Sequence, residues 1–443
     1  MKVTKEITRH IDLLRLTPLA VSALLAFSPA AQTIDSTDKE TYEMLSGQVE
    51  IPGDADDIDI PIPSFINKGA NHILLNGADW GRVKQAFLSS RKSPVTIVHI
   101  GDSHVQADIS TGTTRELLQY DFGNAGRGLV SPLKMSGTNE PRDYVFQSRN
   151  SWNPAKLMSA NWRHTMGFTG TSIRPVTNSA EITIATSDKE DYNPFSSLTI
   201  FHNGKLNVTS VTDENDEKVE YRTLPSHDYT QILLGAPSSK VTINFSSAGD
   251  LTVYGASLSG DRPGLFYHAI GNNGATYDTY NRIGNVGTGI SPLSPDLVII
   301  SLGTNEAFGK LSTSALTQAI DRLVKNIKQA NPQAQILLTT PMECQRSKTT
   351  VKKVRVKGKN GRRRTVNRTS RTYIINPNIA TVRGAILDYA GDNQIAVWDW
   401  WKVAGGQGAS SSWIRHGLFA NDRVHHSYQV YNLEGSLIYA ALM

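Results

Sequence analysis

Ser103 stands in the run Gly101-Asp102-Ser103-His104, directly after the β-branched segment Val95–Ile100. A serine cleaves an ester or amide carbonyl only when a base takes its proton and hydrogen-bond donors await the oxyanion. At the end of a buried strand and the start of a helix, its hydroxyl would be presented at a sheet edge with helix N-terminal amides nearby. A capping serine is the plain alternative for so short a motif. A base is available in Asp422-Arg423-Val424-His425, since on one loop this spacing lets a carboxylate hold one imidazole nitrogen and fix the tautomer whose other nitrogen accepts the serine proton. His426 competes for that role, and its spacing from Asp422 favours His425. Two donor candidates complete the set: Asn305 in Gly303-Thr304-Asn305-Glu306, after the apolar run Leu297–Leu302, and the Gly274 amide, after Phe266–Ile270. An asparagine also forms turns, and a lone glycine carries little information.

Residues so far apart in the chain need a scaffold that gathers them. Val95–Ile100 precedes a helical pattern with Leu117, Leu118 and Tyr120, Leu297–Leu302 precedes a helix over Thr313–Lys328, and Ile336–Thr340 precedes one near Ile379–Tyr389. A further run, Ile395–Trp400, leads into the C-terminal region, and a short strand over His72–Leu75 with a helical pattern through Trp80, Val83 and Phe87 comes before all of them. This alternation predicts an α/β fold whose parallel sheet is covered on both faces, with ligands at the carboxyl ends of the strands. Between residues 150 and 261 the pattern changes to short alternating segments: Glu181–Ala185, Leu198–Phe201, Thr230–Leu234, Val241–Phe245 and Leu251–Tyr254. An inserted all-β sandwich is expected there. Its Trp152 and Trp162 are either core residues or platforms for a sugar ring.

At 443 residues, with 39% hydrophobic and 19% charged, the chain can bury a core without staples, and its one cysteine, Cys344, excludes an intramolecular disulfide. The net charge of +5 is local. Arg346–Arg371 holds twelve Lys or Arg and no acid, and subtracting these leaves −7 on the rest. That distribution, with no interleaved aromatics, argues against a nucleic-acid partner. Gly358-Lys359-Asn360-Gly361 marks this segment (346–371) as a hairpin projecting from the sheet's carboxyl edge. Residues 1–31 read as an export signal: four early cations, an apolar run Leu16–Phe27, and small residues at a cleavage site. Residues 32–70, acidic and rich in turns, read as a linker. The expected localisation is secreted or periplasmic, with no membrane span in the mature chain.

The serine in a Gly-Asp-Ser turn, a glycine and an asparagine after the next two strands, and Asp-x-x-His near the C-terminus resemble the blocks of the SGNH (GDSL) hydrolase family. The resemblance covers about 71–149 and 262–443, leaving 150–261 as the insert, and departs at His104, usually leucine, and Glu306, usually aspartate. It implies an SGNH-type, flavodoxin-like three-layer parallel sheet, a triad of Ser103, Asp422 and His425, an oxyanion hole of Ser103, Gly274 and Asn305, and no metal or organic cofactor. Val105 and Gln106 after the Gly-Asp-Ser-His turn, the glycine-rich stretch Gly123–Gly128 and the β-rich insertion resemble the peptidoglycan O-acetylesterase branch. In that branch the insert is similar to carbohydrate-binding modules. The implied activity is removal of O-acetyl groups from peptidoglycan or another acetylated polysaccharide through an acetyl-enzyme, with His104, Gln106 and Glu306 as further candidate substrate contacts. An O-acetyltransferase of the same fold and a non-enzymatic glycan-binding protein are the alternatives. A metallophosphoesterase is opposed because Gly271-Asn272-Asn273 lacks the histidine that family would need.

Overall fold

In the computed structural model, which describes residues 51, 62–187, 194–310, 312–357 and 362–443, the expected α/β region is a six-stranded sheet. The expected export signal, most of the linker and the turn Gly358–Gly361 lie outside the described residues. The sheet's strands are β1 (Ile73–Leu74), β2 (Val95–Gly101), β3 (Leu265–Gly271), β4 (Leu297–Ser301), β5 (Gln335–Thr339) and β6 (Ala396–Trp398), in the spatial order β1-β6-β5-β4-β2-β3. β2 to β6 run parallel, while β1 pairs antiparallel with β6, so the sheet is mixed rather than wholly parallel.

Every residue of β2 is buried, as a continuous β-branched run requires when both sheet faces are covered. The helix Ser110–Phe122 packs with the C-terminal helix Tyr428–Leu442, and Thr313–Ala330 packs with Asn378–Asp392. Gly435 permits the first of these contacts, since a Cβ there would lie 2.3 Å from the Ser110 carbonyl. From β2 the chain moves to β3 on one side, then crosses to β4 on the other. That reversal opens a crevice at the carboxyl end of β2. Register puts the ends level: Gly101 pairs with Gly271 on β3 and with Ser301 on β4. Whatever follows those three residues therefore emerges side by side.

The inserted region is antiparallel and begins earlier than residue 150. Gly128–Val130 pairs with Ala256–Leu258, and Tyr144–Gln147 pairs with Ser179–Thr186. Its nine strands form one hydrogen-bonded network around a second apolar core that includes Phe146, Ile182, Ile200, Phe245 and Val253. Val241–Phe245 and Leu251–Tyr254 belong to one long strand, Lys240–Ser259, whose register shifts against Phe195–Thr212 mark where it bends instead of turning. The basic segment is a two-stranded ribbon, Gln345–Lys357 with Arg363–Ile375, longer than the sequence pattern suggests and continuous in register.

Candidate active site

Asp102 and Ser103 leave β2 at Gly101, and Asp102 caps the short helix Ser103–Gln106 by accepting from the His104 amide at 3.0 Å. The helix sits hard against the end of β3. A Cβ on Gly271 would lie 2.0 Å from the Gln106 amide nitrogen, so only glycine fits there. Tyr280 fastens the two strand ends from below, its hydroxyl lying 2.7 Å from the Gly101 carbonyl and 3.1 Å from that of Ile270.

The loop between the last two helices brings Asp422 and His425 to this edge. It is held by the Ala420 amide donating to the His425 carbonyl at 2.7 Å, and Arg423 takes a left-handed conformation at φ 62°. His425 Nε2 lies 2.8 Å from Ser103 Oγ, and its Nδ1 lies 2.6 Å from Asp422 Oδ2. Asp422 Oδ1 accepts the Val424 and His425 amides at 2.8 and 2.9 Å. Burial opposes charge on Asp422, but the His425 side chain and these two amides prevail and hold its pKa down to about 2. His426 turns away, its ring stacked on Trp413, and burial lowers its pKa to about 3.

The remaining expected site residues divide. Gly274 adopts φ 79°, and neither its amide nor that of Ser103 has an acceptor among the described residues. Asn305 is buried, but both N–H groups of its amide are committed, to Asp102 Oδ2 at 3.2 Å and the Ala275 carbonyl at 3.0 Å. In this geometry it braces Asp102 and the loop that carries Gly274. Gln106 is likewise internal. Its Nε2 donates to Thr138 Oγ1 and Asn139, and its Oε1 accepts from the Asn273 amide at 2.7 Å. Glu306 is 2% exposed and faces inward, where its Oε1 accepts the Tyr277 amide at 2.7 Å; burial pushes its pKa up to about 8. Expectation failed for these two because nearness in sequence to Ser103 and Asn305 does not tell which way a side chain faces.

His104 does border the site, its ring 5.3 Å from that of His425. Tyr431, which no sequence signal marked, places its hydroxyl 3.0 Å from His104 Nδ1. Burial, then the neighbouring His426 and His425, hold the His104 pKa well below the usual histidine value. Lys156, Leu157 and Met158 of the insert line a cavity of about 10 Å³ with Gln106 and Asn273, behind the loop that carries Gly274. Neither insert tryptophan is a free platform. Trp162 lies under the Arg282 guanidinium and donates to the Lys156 carbonyl at 3.2 Å, and Trp152 packs on Phe245. Among the described residues no group of three His, Cys, Asp or Glu could hold a metal ion, and no helix is long and apolar enough to cross a membrane.

Residues 240–431 match the GDSL-like lipase/acylhydrolase family. The match takes in Gly274, Asn305, Asp422 and His425, while Ser103 lies on the far side of the insert. A solved peptidoglycan O-acetylesterase is 21% identical and superposes with a TM-score of 0.64 over 84% of this chain and 97% of its own, which shows the shared SGNH fold. A family two carbohydrate esterase from Clostridium thermocellum matches at 10% identity over 67% of this chain and 97% of its own, with a TM-score of 0.27. A lipase/acylhydrolase from Enterococcus faecalis matches at 16% identity over 40% and 74%, also with a TM-score of 0.27. No curated protein sequence matches the chain.

Proposed function

We propose that this chain, similar over residues 240–431 to the GDSL-like lipase/acylhydrolase family, is a carboxylic ester hydrolase that removes O-acetyl groups from a polysaccharide of the cell envelope, with Ser103 as nucleophile. One observation carries the reading: the hydrogen-bonded series Asp422 Oδ2, His425 Nδ1, His425 Nε2, Ser103 Oγ, at 2.6 and 2.8 Å. Asp422, ionised at any ordinary pH, accepts Nδ1–H. This leaves the Nε2 lone pair facing the serine. Ser103 attacks the acetyl carbonyl, and its proton passes to His425. The oxyanion forms beside the helix turn, where the Ser103 and Gly274 amides are the uncommitted donors. His425 then protonates the sugar alkoxide as it leaves. In the second half a water loses its proton to His425, attacks the acetyl-enzyme and releases acetate.

His104 belongs to the same reading as a substrate contact. The Tyr431 hydroxyl lies 3.0 Å from Nδ1; with that hydroxyl as donor, the neutral ring would carry its proton on Nε2 and be a donor beside His425. The substrate class is supported by the likeness in fold to a peptidoglycan O-acetylesterase over nearly the whole of that chain. The export expected from residues 1–31 would deliver the enzyme to such a polymer.

The test is acetate release from O-acetylated peptidoglycan and from O-acetylated xylan by the mature chain and by Ser103→Ala. Release that vanishes in the variant is expected, and the faster polymer identifies the substrate. No release from either, with no hydrolysis of an aryl acetate, would overturn the esterase reading in favour of acetyl transfer or glycan binding.

A further inference from the structure

The ribbon Gln345–Lys357/Arg363–Ile375 has no part in the chemistry above, yet its composition is extreme. Directly opposed residues of an antiparallel pair face the same side. Register therefore puts Arg346, Lys348, Lys352, Arg364 and Arg368 on one face and Lys353, Arg355, Lys357, Arg363 and Arg371 on the other. Lys352 stands directly opposite Arg368, and Lys357 opposite Arg363. Like charges so placed destabilise a strand pair, and a two-stranded ribbon is marginal even without them. None of these four has an acidic partner among the described residues. A chain with a charge of −7 elsewhere sets no acid against these four.

The root of the ribbon adjoins the catalytic loop. The Gln345 amide donates to the Arg423 carbonyl at 3.1 Å, Arg423 Nη1 donates to Gln345 Oε1 at 2.8 Å, and the Arg423 guanidinium lies 4.0 Å from the Tyr373 ring centre. Arg423 sits between Asp422 and His425 in sequence. From that root a strand of this length reaches about 40 Å outward.

We propose that the ribbon is a binding arm for an anionic polysaccharide, which it holds across the Ser103 site, so that the preferred substrate is an acidic polymer. The proposal rests on the esterase reading for its second half only. Cations on both faces suit a flexible chain that can pass along or around the ribbon, whereas a lipid surface meets one face at a time. The end of the ribbon, Lys357 to Arg364, contains no apolar residue that could enter a bilayer. Single-stranded nucleic acid calls for exposed aromatic platforms. The ribbon's one aromatic, Tyr373, is covered by Arg423.

The experiment compares the full chain with the fourfold variant Lys352→Gln, Arg355→Gln, Arg364→Gln, Arg368→Gln. Binding to polygalacturonate, neutral dextran, duplex DNA and phosphatidylglycerol vesicles is measured over a salt series. Expected is salt-sensitive binding of the original chain to polygalacturonate, none to dextran, and at least about tenfold weaker binding by the variant, each exposed contact being modest alone. Equal binding by both chains would overturn the arm, as would tighter binding to DNA or to vesicles. The variant's thermal midpoint should equal or exceed the original's, because opposed like charges are removed; a lower midpoint would show that the cations are satisfied within the protein. Aryl acetate hydrolysis by the unaltered chain reports on Ser103 separately, and its absence would sink the esterase while binding still decides the arm.

Discussion

Replacing Asp422 by asparagine changes one atom and should stop the chemistry. In the native loop Oδ1 is held by two backbone amides at 2.8 and 2.9 Å, while Oδ2 faces His425 Nδ1 at 2.6 Å. The asparagine oxygen can keep the backbone pair only if its NH2 takes the place of Oδ2. An N–H then points at Nδ1, which must become the acceptor, and the ring proton moves to Nε2. That proton faces Ser103 Oγ, 2.8 Å away, where a lone pair is needed. The expected loss is about ten thousandfold in kcat, or roughly 5 kcal/mol of barrier, with the fold intact. Turnover of an aryl acetate measures it, after circular dichroism has shown that the variant is folded. A second reading comes from acid titration of stability. The Asp422 carboxyl is depressed from 3.8 to about 2, so its contribution is present above its unfolded value and is lost as pH falls through about 2. By linkage the contribution is worth roughly 2 kcal/mol, and the stability gap between native chain and variant should close across that window. A folded Asp422→Asn protein with turnover within tenfold of native would refute the argument, because His425 would then owe its tautomer to something else.

Gln106→Leu removes the side-chain oxygen that the Asn273 amide donates to, while the Asn273 side chain keeps its own bonds to Thr138 Oγ1 and Asn139 Oδ1. The loop that carries Gly274 should shift, and kcat for an aryl acetate should fall by up to roughly a hundredfold, the cost that a misplacement of about 1 Å can carry. An unchanged kcat would show that the loop keeps its place without the clamp. Arg127→Met breaks the buried cluster in which Arg127 and Arg115 meet Asp108 and Asp143 at the base of the insert. It should lower unfolding stability by about 3–5 kcal/mol, since Asp108 keeps its burial and loses a partner. Urea midpoints at unchanged slope measure this, and Asp108→Asn added to Arg127→Met should restore part of the loss.

What could be read in advance follows from the reach of each signal. β2 and β4 announce themselves because a strand buried on both faces must be apolar throughout, and the serine turn and the Asp-x-x-His pair are short motifs whose spacing is itself the geometry. Gly128–Val130 was beyond reach. It is three residues long and pairs with Ala256–Leu258, a partner no local periodicity reveals. Lys240–Ser259 reads as two strands because Gly249-Asp250 has the composition of a turn, whereas the long ladder to Phe195–Thr212 absorbs the irregularity as a bend. The ribbon was recognised from its turn, but pairing extends to Gln345 and Ile375, where hydrogen bonding to the catalytic loop and not residue preference sets the boundary.

Three of the site residues expected from the sequence share a destination. Gln106 accepts the Asn273 amide, Asn305 donates to the Ala275 carbonyl, and Glu306 accepts the Tyr277 amide, so three candidate substrate or oxyanion contacts all grip the loop on either side of Gly274. Asn272 adds a fourth fastening, donating to the Thr169 carbonyl of the insert at 3.0 Å. An oxyanion donor works by being in place before charge develops, and a backbone amide on a glycine at φ 79° has no side chain of its own to fix it. The polar residues around it do that fixing, and they can be buried because each is paired or, as with Glu306, kept neutral by its raised pKa. One fastening runs into the insert. The β region is therefore part of what sets the Gly274 amide, and a chain cut back to the α/β sheet should lose turnover on an aryl acetate as well as on a polymer.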